Sequence, residues 1–490
     1  MSAIAGILAV WLTPVVWFVL PALILAGGTD GLWAGLVLVL SPLVALSVLA
    51  PRPAAGGPGG ESLFTVVVLL LTVAVLLWAN LILAGDVVAW LGAPRWHGVA
   101  LAAAGALFLT AWPGSERLSV ALLLVSGLGF AAPLIVIARD SGIGPLRAWD
   151  QVAARPAFRF PPGSPWVTTG RELRLDHGQD GIVFEEEHRL TAAEPGVVRA
   201  RTRDGAVVSE REWQLEAGQA VTLRAGDQLR ATPGLRVRFE ADKRVPGAPA
   251  SGVAWAGEHW DMANGLGFAV TMLGAAMALL PSDVLERPPR WRVTLAGLGL
   301  TIPFLWAQGW AVYGALRAPD LFLGGVTLDR LVELPSLALG GSAWGWRLQA
   351  MLLVAGLAGF LVSSVALRER LSRLDPTGRG DIGDDLGLWL GVFAVTAMAS
   401  LWPLDPWSLV RLALGAAASA LAPAMLFPPP PHRAGAATVA GAVGLALFLG
   451  LSALSQLRGA APGLVGVVLT YPAVVAMPAG LCVLWAGARR

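Results

Sequence analysis

Cysteine occurs once in these 490 residues, as Cys482, and lysine once, as Lys243. A single thiol cannot make an intrachain disulfide, a zinc–thiolate site, an iron–sulfur cluster or a C-x-x-C-H haem attachment. Charge is also scarce: Asp, Glu, Lys and Arg make up 14% of the chain, against about a quarter in soluble domains. The net charge of +2 comes with no basic block, which argues against a nucleic-acid partner. No P-loop, dinucleotide fingerprint or H-E-x-x-H motif is present.

What fills the chain is hydrocarbon. Hydrophobic residues make up 56% of it, and apolar runs of about 20 residues recur, the length that crosses a bilayer core of about 30 Å. The first run, Ile4 to Leu25, lacks a basic stretch before it and an A-x-A-like site after it, so it reads as a retained helix rather than a cleaved leader. The pattern predicts about twelve spans, near 4–26, 30–50, 62–84, 97–113, 118–138, 262–281, 292–316, 347–367, 386–403, 408–427, 434–455 and 463–487. Arginines in alternate short loops, from Arg52 and Arg117 through Arg287 and Arg368 to Arg489 and Arg490, place both termini in the cytoplasm. The arginine, alanine and glycine bias suggests a bacterial inner membrane.

The exception is residues 139–261, which hold 17 of the 35 basic and 18 of the 33 acidic residues. Their pattern has period two. Arg199, Arg201 and Arg203 share one face, and Arg236 and Arg238 alternate with Leu235, Val237 and Phe239, as in half-buried strands. Turn signals recur about every 8–12 residues. The fold class expected is therefore a polytopic α-helical membrane protein with an inserted extracytoplasmic all-β domain. Residues 1–138 and 262–490 form its membrane parts, and residues 139–261 form a small sandwich or barrel. Residues 328–339, with Leu331, Leu334 and Leu337 on one side, read as a helix lying in the membrane interface.

Ionisable groups at membrane depth mark proton pumps and coupled transporters, and the predicted spans have almost none. Asn80 reads as a hydrogen bond between helices. "FEEEHRL" (184–190) reads as charge on the solvated face of a strand, because Glu186 and His188 alone do not close a metal site. "RELRLDHGQDG" (171–181) groups Asp176, His177 and Asp180 without a nucleophile. The acid-rich loop 368–385 reads as a solvated helix extension. "GEHWDMANGLG" (257–267) reads as the mooring of the sixth span, with Asp261 as its N-cap. The many tryptophans near span ends, Trp255 among them, match the interfacial preference of indole.

Two histidines on the predicted outer surface, His97 and His259, each neighbour a tryptophan, and Trp344 and Trp346 precede a later span. Bis-imidazole ligation of haem on an indole platform is one chemistry for such a set. The arrangement loosely resembles the cytochrome c assembly proteins that handle haem on the outer face of a membrane. It departs from them at Arg347, where an acid would be expected. That resemblance implies haem as cofactor and His97 and His259 as axial ligands.

The first reading is a non-catalytic integral membrane subunit without a cofactor. It would sit in the lipid bilayer, bind other membrane protein subunits, and dock them through arginines 199, 201, 203, 236 and 238. The haem-handling factor is one alternative. An enzyme or flippase acting on a lipid-linked substrate is another.

Overall fold

The computed structural model describes residues 8–45, 63–90, 93–111, 115–161, 167–168, 182–204, 207–230, 236–257, 262–279, 290–323, 326, 330–339, 342–372, 386–402, 404–427, 434–458 and 463–489. His259 and Asp261, the Asp176–His177–Asp180 group and most of the acid-rich loop lie outside them.

Six helices are long and apolar enough to cross a membrane: Pro14–Val44, Leu63–Ala89, Leu118–Ser141, Ala343–Arg368, Pro406–Leu426 and Gly435–Arg458. They mark the chain as a membrane-embedded, multi-pass helical protein. We label the helices α1 (Pro14–Val44), α2 (Leu63–Trp90), α3 (Arg95–Ala111), α4 (Ser115–Ser141), α5 (Pro145–Ala153), α6 (Gly252–Ala256), α7 (Met262–Leu279) and α8 (Arg290–Arg317). After them come α9 (Leu334–Ala338), α10 (Ala343–Ser372), α11 (Leu386–Ala399), α12 (Pro406–Leu426), α13 (Ala434–Arg458), α14 (Gly463–Thr470) and α15 (Ala473–Arg489). The last two meet at a bend of 76°, at Tyr471–Pro472.

Helix α1 folds back on itself. Gly28 has φ 54° and ψ −123°, a conformation open in practice only to glycine. The Trp11 indole N–H donates to the Leu38 carbonyl at 2.7 Å, whereas 27 residues of straight helix would hold them about 40 Å apart. A Cβ on Gly31 would stand 1.8 Å from the Leu23 oxygen. The two arms, residues 8–27 and 29–45, thus run antiparallel, about 30 and 25 Å long at helical rise, and the reversal falls in the gap expected between the first two spans.

The first arm also breaks at Leu12–Thr13, so Val15 has no helical acceptor for its N–H. Asn80 on α2 supplies one, its Oδ1 accepting from Val15 at 3.2 Å while its Nδ2 donates to Leu76 at 2.7 Å. This is the bond between helices that an amide in an apolar span leads one to expect.

Between α5 and α6 lie β1 (Val167–Thr168), β2 (Ile182–Val183), β3 (His188–Ala192), β4 (Gly196–Asp204), β5 (Val207–Leu215), β6 (Ala220–Leu223), β7 (Gln228–Arg230) and β8 (Arg236–Arg238). They pair antiparallel into two four-stranded sheets, β1-β8-β3-β6 and β2-β7-β4-β5. Phe160, Phe184, Leu190, Val198, Leu223 and Val237 are buried between and beside them. The period-two reading holds on β4, where Val198 and Ala200 are buried while Arg199 and Arg201 are exposed.

One expectation needs correction. His188 is not on a solvated face; it is buried, with 1% exposure. A bend at Glu185–Glu186 interrupts the strand, so the alternation restarts at His188 and turns it inward. Residues 330–338 pack their leucines inward. They form a 3-10 turn and the short helix α9, with Leu331 and Leu334 buried; Leu334 packs against Gly314 and Ser336 against Gly345.

Candidate functional site

The sheets are fastened to the helical bundle by interactions that start from broken backbone. Leu25 lies four residues before Thr29, so the reversal at Gly28 leaves its carbonyl without the usual helical partner. The Trp255 indole takes that carbonyl at 2.8 Å, and the Thr29 hydroxyl donates to Ala256 at 2.8 Å. Trp255 is therefore a buried clamp, 2% exposed, rather than an interfacial tryptophan, and its ring meets Trp149 of α5 at 4.8 Å. Helices α5 and α6 touch closely: a Cβ on Gly252 would stand 1.7 Å from the Val152 oxygen.

Arg155, just after α5, donates to the carbonyls of Ala315 and Leu316 at 3.1 and 2.6 Å. It satisfies acceptors that the C-terminus of α8 leaves open. Burial lowers its pKa, but a guanidinium stays charged regardless. Tyr313 donates to Ile143 at 2.5 Å, Arg317 pairs with Asp140 at 2.6 Å, and Phe158 packs on Phe322 at 4.9 Å. The ends of α4 and α8, the turn of α1 and the base of the sheets thus share one end of the molecule.

The five arginines predicted to dock a partner are divided between the sheets. Arg199, Arg201 and Arg203 lie on β4, and Arg236 and Arg238 on β8. Arg199 pairs with Glu212 of β5 at 2.9 Å, both side chains exposed, and Arg201 stands in register with Glu210. The face is a ladder of mixed charge. Strand β5 is paired on one side only, so its outer edge ends the sheet among the described residues.

Of the residues proposed for haem, His97 is exposed and its ring stands edge-on to Trp96 at 3.8 Å. Trp344 and Trp346 are 62% and 59% exposed, and the Arg347 guanidinium lies over the Trp344 ring at 5.1 Å. No described contact joins His97 to either tryptophan. Among the described residues, no three His, Cys, Asp or Glu side chains gather as a metal site.

Sequence reading missed a tight aromatic crevice within the bundle, with room for no more than about one water molecule. Trp17, Phe18 and Pro21 of α1, Phe130 of α4, Pro303, Trp306, Ala307 and Trp310 of α8, Leu331, and Leu352 of α10 line it. Trp17 is sandwiched, 4.8 Å from Phe130 on one side and 5.8 Å from Trp306 on the other. Its indole N–H has no acceptor among the described residues, so stacking holds this ring in place. The available signal was position: Trp17 lies inside the predicted span 4–26, and Trp306 and Trp310 lie in the interior of α8, away from the ends where indoles gather.

Compared with protein-family models, curated proteins and solved structures, the chain gives no match.

Proposed function

We propose that this chain is a non-catalytic, multi-pass subunit of a bacterial inner-membrane assembly, with its β-domain as a rigid docking head for partner subunits. In this reading both arms of α1, the other five long helices, the shorter α3, α7 and α11, α8, and the bent α14–α15 pair each cross the bilayer, giving twelve passes with both termini in the cytoplasm. The all-β domain stands outside.

The observation that carries the proposal is the fastening of the head. A domain joined by flexible linkers would reorient freely. Here Trp255, Thr29, Arg155 and Phe158 tie its base to the helix ends at 2.6–3.1 Å for the polar bonds and 4.9 Å for the ring pair. Fixed orientation pre-organises a surface for a partner in the same membrane and lowers the entropy cost of binding. The Arg199/Glu212 and Arg201/Glu210 ladder on β4 and β5 supplies charges of both signs for a complementary partner surface.

The test is gentle purification from native membranes, comparing wild type with Arg199→Glu/Arg201→Glu. A stoichiometric subunit that accompanies the wild type and is lost from the variant, with unchanged melting, supports the docking head. A chain that purifies alone in both forms rejects it. A Soret band abolished by His97→Ala would instead establish the haem reading.

A further inference from the structure

We propose that the break in α1 at Leu12–Thr13 binds one alkali-metal cation, sodium or potassium, through the carbonyls of Val10 and Trp11 and the hydroxyls of Thr13 and Ser126. The hydroxyls are the first observation. Elsewhere in the helices, Ser41, Thr72, Thr271, Ser363, Ser364 and Ser419 return theirs to the carbonyl four residues back, at 2.7–2.9 Å. Thr13 and Ser126 do not. They are 2% and 0% exposed, and neither Thr13 Oγ1 nor Ser126 Oγ has a hydrogen-bond partner among the described residues.

The backbone supplies the second. A helical carbonyl accepts from the N–H four residues on. Pro14 has no N–H to give Val10, and the Val15 N–H goes to Asn80 at 3.2 Å instead of to Trp11. Two carbonyls thus end the segment before the break without helical donors, and both residues are 4% exposed. The hydroxyls stand at the same level. A Cβ on Gly359 of α10 would lie 2.9 Å from Ser126 Oγ and 3.5 Å from Cγ of Pro14, the residue after Thr13. One turn further along each helix Trp17 stacks on Phe130 at 4.8 Å, so α1 and α4 keep this register.

Chemistry selects the occupant. Thr13 lies 15 residues before the turn at Gly28, about 22 Å along a helix and so inside a core about 30 Å thick, where bulk water does not solvate an open polar group. Broken membrane helices coordinate ions at such depth through unwound carbonyls. The sign follows from the two sides of the break. At the start of α1, Pro14 offers no N–H and Asn80 has taken that of Val15, so little remains to hold an anion. The carbonyl side is open, and carbonyl ends of helices attract cations. None of the four oxygens belongs to a carboxylate, the ligand that calcium and magnesium take, so an ion of single charge fits. The site lies apart from the docking head and does not depend on what the head binds.

The test follows melting of the full-length protein in detergent by tryptophan fluorescence, with sodium or potassium chloride titrated against choline chloride at constant ionic strength. One of the two ions or both should raise the melting temperature saturably, as a ligand of the folded state does. Ser126→Ala and Thr13→Val should each weaken the apparent affinity roughly tenfold or more. Ser419→Ala, which removes a buried hydroxyl already bonded to Gly415, should leave it unchanged. If one of the two site variants does not fold, the other carries the comparison. Equal melting in sodium, potassium and choline overturns the proposal and leaves the break to a water molecule. A rise that persists at full affinity in the site variants overturns it too. So does a rise that vanishes when gluconate replaces chloride, which would mark an anion site.

Discussion

At the scale of single residues, the two buried polar groups Asn80 and His188 behave differently, and only one of them was legible. An amide alone in an apolar helix needs a partner, so Asn80 announced a bond between helices before its acceptor role was visible. Replacing Asn80 by Leu strands the Val15 N–H. The expected loss is about 1 kcal/mol, within the range measured for such bonds in membranes, and a lower melting temperature in detergent would show it. Its absence would mean that Val15 finds another acceptor. His188 was misread because one bend at Glu185–Glu186 resets the strand phase, and no alternation rule sees a bend.

His188 sits among Phe160, Phe184 and Phe239 at 5.0–6.2 Å between ring centroids. Its Nδ1 has no partner among the described residues. Desolvation lowers its pKa from 6.5, against the opposing pull of Glu186. A lowered folded value means the unfolded chain binds the proton more readily, so stability rises with pH across the interval. The contribution is complete above pH 6.5 and is lost as pH falls toward the folded value, at up to about 1.4 kcal/mol per pH unit. Amide protection at Leu190–Ala192, corrected for intrinsic exchange, should therefore weaken between pH 7 and pH 5. His188→Phe should abolish that dependence, and a slope that persists in the variant would assign it to another group.

At the scale of elements, the reversal in α1 ties local backbone to the docking of a distant segment. "AGGTDG" at 26–31 breaks the apolar run, which is why two spans could be read there. That Trp255 would seal the turn could not be read, because 227 residues separate it from Gly28. A Cβ at Gly28 would stand 1.7 Å from the Trp255 carbonyl, on top of the strain of its φ. Gly142 offers a control: it also has positive φ, 64°, but nothing lies within 4 Å of an added Cβ. Gly142→Ala should cost about 1 kcal/mol, as left-handed backbone does for an L-residue. Gly28→Ala should cost several times more, seen as lost yield or a melting shift too large for strain alone. Equal effects would mean that the turn and α6 separate without penalty.

At the scale of the whole molecule, the membrane class and the strand-rich insertion were readable, the first from the length of the apolar runs and the second from period two. Convergence was not readable. Trp17, Phe130 and Trp306 meet only because α1, α4 and α8 pack together, and Arg155 finds the end of α8 across 160 residues. The same long-range contacts make the head's orientation a testable property. Spin labels at Glu216 on the head and Leu457 on α13, both exposed, should give one narrow distance distribution in the wild type. Arg155→Leu removes two bonds and leaves the carbonyls of Ala315 and Leu316 unsatisfied, and Phe158→Ala removes the ring contact with Phe322. Together they should broaden that distribution while the strands keep their exchange protection, because neither residue lies in the sheets. A distribution that stays narrow would place the rigidity in the Trp255 clamp alone, and adding Trp255→Ala would then be needed to release the head.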